Sequence, residues 1–171
     1  PAYVGRANAI AALDAARRDG TLDAETAALI EGCGGTLENT GIGSGIFANK
    51  PGDGSAREQA ASCQRVLGGA ANICYEFATK RYRSNCINWG MMPFTIDEGV
   101  AFDYDAGDYV YVPGIRAAIE SGARGVAAQV ITKAGCTPIT LHLPELTKEE
   151  RQILLEGCLM NYYAAQRAQK G

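Results

Sequence analysis

The residues best placed to do chemistry lie between Gly52 and Phe94: a glycine-bounded turn, GDGSAREQAA, and then a glycine-rich apolar run ending in RSNCINWGMMPF. Gly52, Asp53 and Gly54 permit a sharp bend, after which Ser55, Ala56, Arg57 and Glu58 can open a helix. Ser55 is a good N-cap there, and Glu58 completes an S-x-x-E capping box around it. That arrangement needs no chemistry. The functional alternative starts from two physical facts. Amides at a helix N-terminus point at whatever sits beyond the turn, and Arg57 offers a planar fork suited to a carboxylate. Together they would hold an organic anion.

Other candidates are weaker. The single histidine, His142, lies in TPITLHLPEL, which alternates as a strand and ends at Pro144. A Ser-His-Asp triad would have to use it, yet Ser55 lacks the G-x-S-x-G elbow in which such serines sit. Gly41-Ile42-Gly43-Ser44-Gly45 has neither a Walker lysine nor the full G-x-G-x-x-G spacing; it reads as a loop or strand leading toward the turn, with Ile46, Phe47 and Ala48 packing inward. The six cysteines, Cys33, Cys63, Cys74, Cys86, Cys136 and Cys158, show no C-x-x-C pair or other metal-ligand spacing and read mostly as small buried hydrophobes. No metal ligand is assigned. Lys80-Arg81-Tyr82-Arg83 is a small basic cluster in an acidic chain, better read as a solvated face or a positioning element than as a nucleic-acid surface. Asn85, Asn88 and Trp89 read as loop-fixing and packing residues.

The central block resembles one family closely, the aconitases. Their swivel domain carries, in order, G-x-G-S-S-R-E-H-A-A, R-x-L-G-G, F-A, a spacer, N, and G-[LM]-[LM]-P-[LF]. The counterparts here are Gly52 to Ala61, Arg65 to Gly69, Phe77-Ala78, Asn85, and Gly90 to Phe94. Gly5-Arg6-Ala7-Asn8 is similar to the family's G-K-A-N segment, and the tail LTKEERQILLEGCLMNYY resembles one branch of its hydratases. The resemblance implies that Ser55 takes the proton alpha to a carboxylate and that Arg57 binds substrate. A serine can do so only where amides and positive charge stabilise its alkoxide. Two departures stand out: the family's second serine is Ala56 here, in the substrate-binding turn, and its histidine after the glutamate is Gln59. Ala56 removes one hydroxyl donor, which points to an acid other than citrate.

The resemblance also implies a [4Fe-4S] cluster in the complete enzyme, ligated by residues outside this chain, and partners in the form of cluster-bearing domains or a large subunit. The substrate would be a hydroxy di- or tricarboxylic acid. The family's threonine-aspartate-histidine segment and R-G-H-L run, both upstream of G-K-A-N, have no counterpart here. The chain is therefore expected to be most of one swivel domain, spanning residues 1–171, from a longer or split enzyme, incomplete as a catalyst. A free-standing small subunit of an isopropylmalate-isomerase-type enzyme, with its related N-C-x-x-N-G-x-[LM]-P run, is the neighbouring alternative. A non-catalytic module that holds an anion or a partner is the alternative from another class.

Composition agrees with a globular domain: 171 residues with a net charge of −3, and no like-charge run long enough for an interaction tail. No stretch approaches the roughly 20 apolar residues of a membrane span, and PAYVGRANAI is not a secretory signal, so a cytoplasmic setting is expected, or a mitochondrial one in a eukaryote. The elements that must position the turn follow from periodicity. Helices are expected over Ala7 to Arg18, Leu22 to Glu31 (capped by Thr21, stopped by Gly32), Ser55 to about Leu67, Ile115 to Ser121, and one long helix from Thr147 to about Ala168. Phe77 to Arg83 reads as turn or helix, and Asp105 to Asp108 as a turn. Strands are expected over Ala70 to Tyr75, Ile87 to Met92 and Tyr109 to Val112, with Val126 to Thr132 and Pro138 to Leu143 as a hairpin. The fold class is α/β, and the resemblance implies a swivel-domain-like, mixed, barrel-like sheet flanked by helices.

Overall fold

The computed structural model describes residues 14–21 and 24–169. The G-K-A-N-like segment, the start of the first helix and Leu22 fall outside these. Residues 14–18 form the described part of α1, and α2 spans Ala24–Gly32. Six strands then build one sheet: β1 (Ser44–Ala48), β2 (Gly69–Cys74), β3 (Met92–Thr95), β4 (Tyr109–Tyr111), β5 (Gly125–Thr132) and β6 (Gly135–His142), in the order β1-β2-β3-β6-β5-β4. β1, β2 and β3 run parallel, joined by helices α3 (Arg57–Val66) and α4 (Lys80–Asn88). The other pairings are antiparallel. The result is a mixed sheet flanked by helices, open at β1 and β4 rather than closed into a barrel.

Each class of element has a local reason. β2 is buried over its second half, as a strand paired on both sides is, with Asn72 the one polar side chain among small and apolar neighbours. β6 is more exposed, with Leu141 its one buried residue. The main core joins Ile73, Phe94 and Leu141 of the sheet to Ile119 and Leu154 of the covering helices. α5 (Ile115–Ser121) and the hairpin stand where periodicity places them.

Three expectations change. The strand expected over Ile87 to Met92 is the end of α4 followed by a turn, and β3 begins only at Met92. Ile87 and Met91 are fully buried, so their apolar character reflects core packing at a helix end and a turn, which a short run cannot distinguish from a strand. The single C-terminal helix is two, α6 (Lys148–Glu156) and α7 (Leu159–Ala168), broken at Gly157 with φ 91°. At that break the Gly157 carbonyl packs against Gly90, so the chain is held by a backbone contact there and not by continued helix. Finally, the cysteines are not mostly buried: Cys74 and Cys86 are, whereas Cys63 and Cys136 are exposed and Cys33 and Cys158 are half-buried.

A full capping box does occur, at α6. Thr147 Oγ1 accepts from the Glu150 amide at 3.1 Å, and Glu150 Oε2 accepts from the Thr147 amide at 2.8 Å. Thr147→Ala is expected to cost about 1 kcal/mol, read as a fall of about 2–4 °C in the thermal midpoint. An unchanged midpoint would show that the box adds nothing to α6.

Candidate functional site

β1 delivers the chain to the carboxyl edge of the parallel strands, the edge at which open α/β sheets bind ligands. The segment after β1 is stitched to the segment after β2. The Asn49 carbonyl accepts from the amides of Tyr75 (3.2 Å) and Glu76 (3.3 Å), and the Pro51 carbonyl accepts from Ala78 (2.9 Å). Gly52 is the pivot. Its φ of 94° is open to glycine, and a Cβ there would be driven into the Cβ and ring of Tyr82. Its carbonyl accepts from Thr79 Oγ1 at 3.0 Å and from Arg57 Nε at 3.1 Å. The Thr79 hydroxyl accepts in turn from the Tyr82 amide at 3.2 Å, so one side chain caps α4 and holds the turn.

Ser55 is exposed, in the bend just before α3. It does not cap that helix. The N-cap position is Ala56, which has no side-chain acceptor, and the first helical bond runs from the Ala60 amide to the Ala56 carbonyl at 2.9 Å. The capping box expected from S-x-x-E is therefore absent, and Glu58 reaches instead to Trp89, accepting from Nε1 at 2.9 Å. The physical reason is the wide bend after Gly54, which carries the helix start past the position the box requires. The consequence is a helix start whose amides at Arg57, Glu58 and Gln59 precede the hydrogen-bond ladder and receive no side-chain cap.

Arg57 is half-buried and partly committed to the turn: Nε donates to the Gly52 carbonyl and Nη2 to the Asp53 carbonyl at 3.4 Å. A guanidinium has five N–H groups, so Nη1 and the second proton of Nη2 remain for a carboxylate. These sit side by side, the geometry of a bidentate clamp. Ala56 stands between Ser55 and Arg57 and is exposed.

Behind the turn lies a closed polar ring that the motif does not announce. Gln64 Nε2 donates to Tyr82 Oη (2.7 Å), Tyr82 Oη donates to Asn72 Oδ1 (3.1 Å), and Asn72 Nδ2 donates to Gln64 Oε1 (2.9 Å). It ties α3, β2 and α4 into one unit. Burial pushes the Tyr82 hydroxyl up to about 12, so it stays protonated as a donor, and pushes the Cys86 thiol up to about 11 and the Cys74 thiol to about 12. Cys86, in the RSNCINWG run, is thus a neutral packing group. Asn72→Ala leaves both partners unsatisfied and is expected to cost about 2–3 kcal/mol in denaturant unfolding. A loss below about 0.5 kcal/mol would mean the ring contributes nothing.

The basic cluster opens α4. Tyr82 is core, and Arg83 pairs with Glu150 of α6 at 3.4 Å. His142 ends β6 with Nε2 at 3.1 Å from Asp97 Oδ1, far in the chain from Ser55 and joined to it by no hydrogen bond among the described residues. A depression of about 270 Å³ lies beside the turn at the same sheet edge, lined by Asn49, Lys50, Tyr75, Glu76, Glu98 and Gly99. Neither Ser55 nor Arg57 lines it. The turn stands on open surface, and Lys50 is engaged by Glu76 at 2.6 Å. Among the described residues no group of three or more histidine, cysteine or acidic side chains is arranged to hold a metal, and the two buried cysteines are protonated, so the residues present do not fit an iron-sulfur cluster. None of the described helices is long and apolar enough to cross a membrane.

Comparison with known proteins gives a consistent result. Residues 35–99 match the aconitase C-terminal domain. Two fungal proteins whose names give a mitochondrial aconitate hydratase are similar: one from Aspergillus fumigatus, 31% identical over 115 residues, 66% of this chain, and one from Emericella nidulans, 30% identical over 112 residues, 64% of this chain. The matched part is 14% of the length of each of these relatives. Among solved structures, a 3-isopropylmalate dehydratase from Methanocaldococcus jannaschii matches with a TM-score of 0.51 and 25% identity, over 79% of this chain and 73% of that one. The aconitase resemblance, carried by the block from Gly52 to Phe94, and the swivel-type fold are both borne out.

Proposed function

With an aconitase C-terminal domain match over residues 35–99 as the premise, we propose that this hydratase-type domain supplies the catalytic base and a substrate clamp to a hydro-lyase acting on a hydroxy di- or tricarboxylic acid. The observation that carries the reading is the uncapped start of α3. Ser55 leaves its helix amides unused, and Arg57 keeps a pair of N–H groups beside them, so both charge-stabilising elements face the same bend. Ser55 removes the proton alpha to a carboxylate. The amides and the guanidinium hold the adjacent negative charge, lowering the cost of the serine alkoxide. Arg57, pinned at Nε, binds the carboxylate end-on and fixes its distance from Ser55.

A single domain with the turn on open surface does not enclose a substrate. The water-excluding wall is assigned to partner domains of a larger polypeptide or to a separate large subunit, which would also bear the cluster the family uses. The setting proposed is cytoplasmic or mitochondrial, the latter supported by the names of the fungal relatives. The small-subunit arrangement has one observation in its favour, the match over 73% of the archaeal dehydratase chain, and it leaves the roles of Ser55 and Arg57 unchanged.

Ala56 sets the substrate. Where the family's motif has a second serine, this turn offers a methyl group, so one hydrogen bond to the acid is missing. The test is a panel of hydroxy acids, citrate and isopropylmalate included, given to the anaerobically reconstituted full-length protein, with dehydration followed by ultraviolet absorbance. The preferred acid is expected to differ from citrate, and Ala56→Ser should move the kcat/KM ratio toward citrate by about 3–10-fold, the worth of one neutral hydrogen bond. Citrate as the best substrate of the unaltered enzyme would overturn the specificity reading. No dehydration of any acid by cluster-loaded protein would overturn the reaction itself and favour an anion-binding module.

A further inference from the structure

We propose that Cys33 and Cys136 form a reversible dithiol–disulfide pair, oxidised by a hydroperoxide, that clasps the end of α2 to the β5–β6 hairpin. The two residues are 103 positions apart, yet the fold brings their Sγ atoms to 3.4 Å, one thiol donating to the other. A disulfide needs the sulfurs at about 2.05 Å. The remaining closure falls on segments able to take it up: Cys33 sits in the turn after α2, and Cys136 follows Gly135 at the start of β6.

A second contact ties the segment after α2 to β4, the strand beside that hairpin. Gly35 lies so close to Tyr111 of β4 that a Cβ there would meet the phenol oxygen at 2.7 Å. The helical layer before β1 is thus already seated on the β4-β5-β6 side of the sheet, and the thiols meet as part of that seating. The pair is open to small oxidants, Cys136 being exposed and Cys33 half-buried. By contrast, Cys74 and Cys86 are sealed in the core, and Cys63, although exposed, makes no thiol contact among the described residues.

The chemistry balances with the hydroperoxide as oxidant. The exposed Cys136 thiol is the one a hydroperoxide reaches first, and its proton leaves with the displaced oxygen; burial and the neighbouring sulfur raise the Cys33 thiol and keep its proton in place. Cys136 sulfur displaces one peroxide oxygen, giving a sulfenic acid and releasing water or an alcohol. Cys33 sulfur then attacks the Cys136 sulfur, its proton leaves with the departing hydroxide as water, and the S–S bond forms. Two thiols lose two electrons and two protons, and the O–O bond takes them up. A low-molecular-weight thiol reverses the step by exchange. Closing so long a loop restrains the unfolded chain, so the oxidised form is the more stable one.

The experiment is graded hydrogen peroxide on the full-length protein, followed by alkylation and peptide mapping without reductant. Expected are one cross-linked peptide joining Cys33 and Cys136, two hydrogens lighter than the separate peptides, its loss with dithiothreitol, and a thermal midpoint about 5–10 °C higher in the oxidised form. Cys33→Ser should instead trap a sulfenic acid at Cys136, and Cys63→Ser should leave the cross-link intact. Accumulation of Cys136 sulfenic or sulfinic acid in the unaltered protein without a cross-link would overturn the proposal, as would a cross-link from either cysteine to another residue. None of these readouts depends on hydro-lyase activity.

Discussion

Ser55→Ala in the complete enzyme is expected to lower kcat by about 10²–10⁴-fold while KM stays within a few-fold of its original value. The split follows from the geometry. Arg57 is anchored to the Gly52 and Asp53 carbonyls, not to Ser55, so the clamp persists when the hydroxyl is removed. The helix start also persists, because Ala56 and not Ser55 occupies the N-cap position and no side-chain cap is lost. The variant should therefore unfold at the same temperature as the unaltered protein. A Ser55 that merely capped α3 would give the opposite pattern, a stability loss of about 1 kcal/mol with modest kinetic change. Steady-state kinetics and one thermal melt separate the two.

Gly90→Ala is expected to destabilise the domain by at least about 3 kcal/mol, the largest stability effect of any single methyl group here. Two costs add: Gly90 has φ 71°, a left-handed backbone that a Cβ disfavours, and that Cβ would be driven into the backbone carbonyl of Gly157. Neither partner can move alone, since Gly90 follows the end of α4 and Gly157 sets the break between α6 and α7. Urea unfolding gives the number. A change below about 1 kcal/mol would mean that the elbow relaxes freely and the two glycines are not a fixed contact.

Gly90 illustrates how far the sequence could be read. It sits in the block GMMPF, which belongs to the aconitase resemblance, yet its demand is architectural: it lets two helix ends approach backbone to backbone. The motif is legible because glycines, serine and arginine stand at fixed offsets. Its division into chemistry and scaffold is not, because that division depends on Gly157, distant in the chain. The same limit explains the strand expected near Ile87, where burial from a helix end mimics a buried strand. It also explains the absent capping box at Ser55, where the local pattern is present and the backbone bend carries the helix start past it. The Asn72–Gln64–Tyr82 ring and the bond from Thr79 to Gly52 carry no mark in the sequence because their partners come from separate elements. A threonine immediately before Lys80 is the one available signal, as an N-cap for α4. The hairpin, α5 and the turn at Asp105 are readable because each is closed by neighbours in the chain.

The central claim is that Ser55 moves a proton at the carbon alpha to a carboxylate, and exchange in heavy water tests it most directly. The reconstituted full-length enzyme is incubated in D₂O with the acid it dehydrates, deuterium at that carbon is followed by NMR, and substrate binding is measured in parallel by calorimetry. The expected result is rapid incorporation by the unaltered enzyme and a loss of about 10²-fold or more in Ser55→Ala, with binding retained. Incorporation at the unaltered rate in Ser55→Ala would contradict the claim and place the base on another residue.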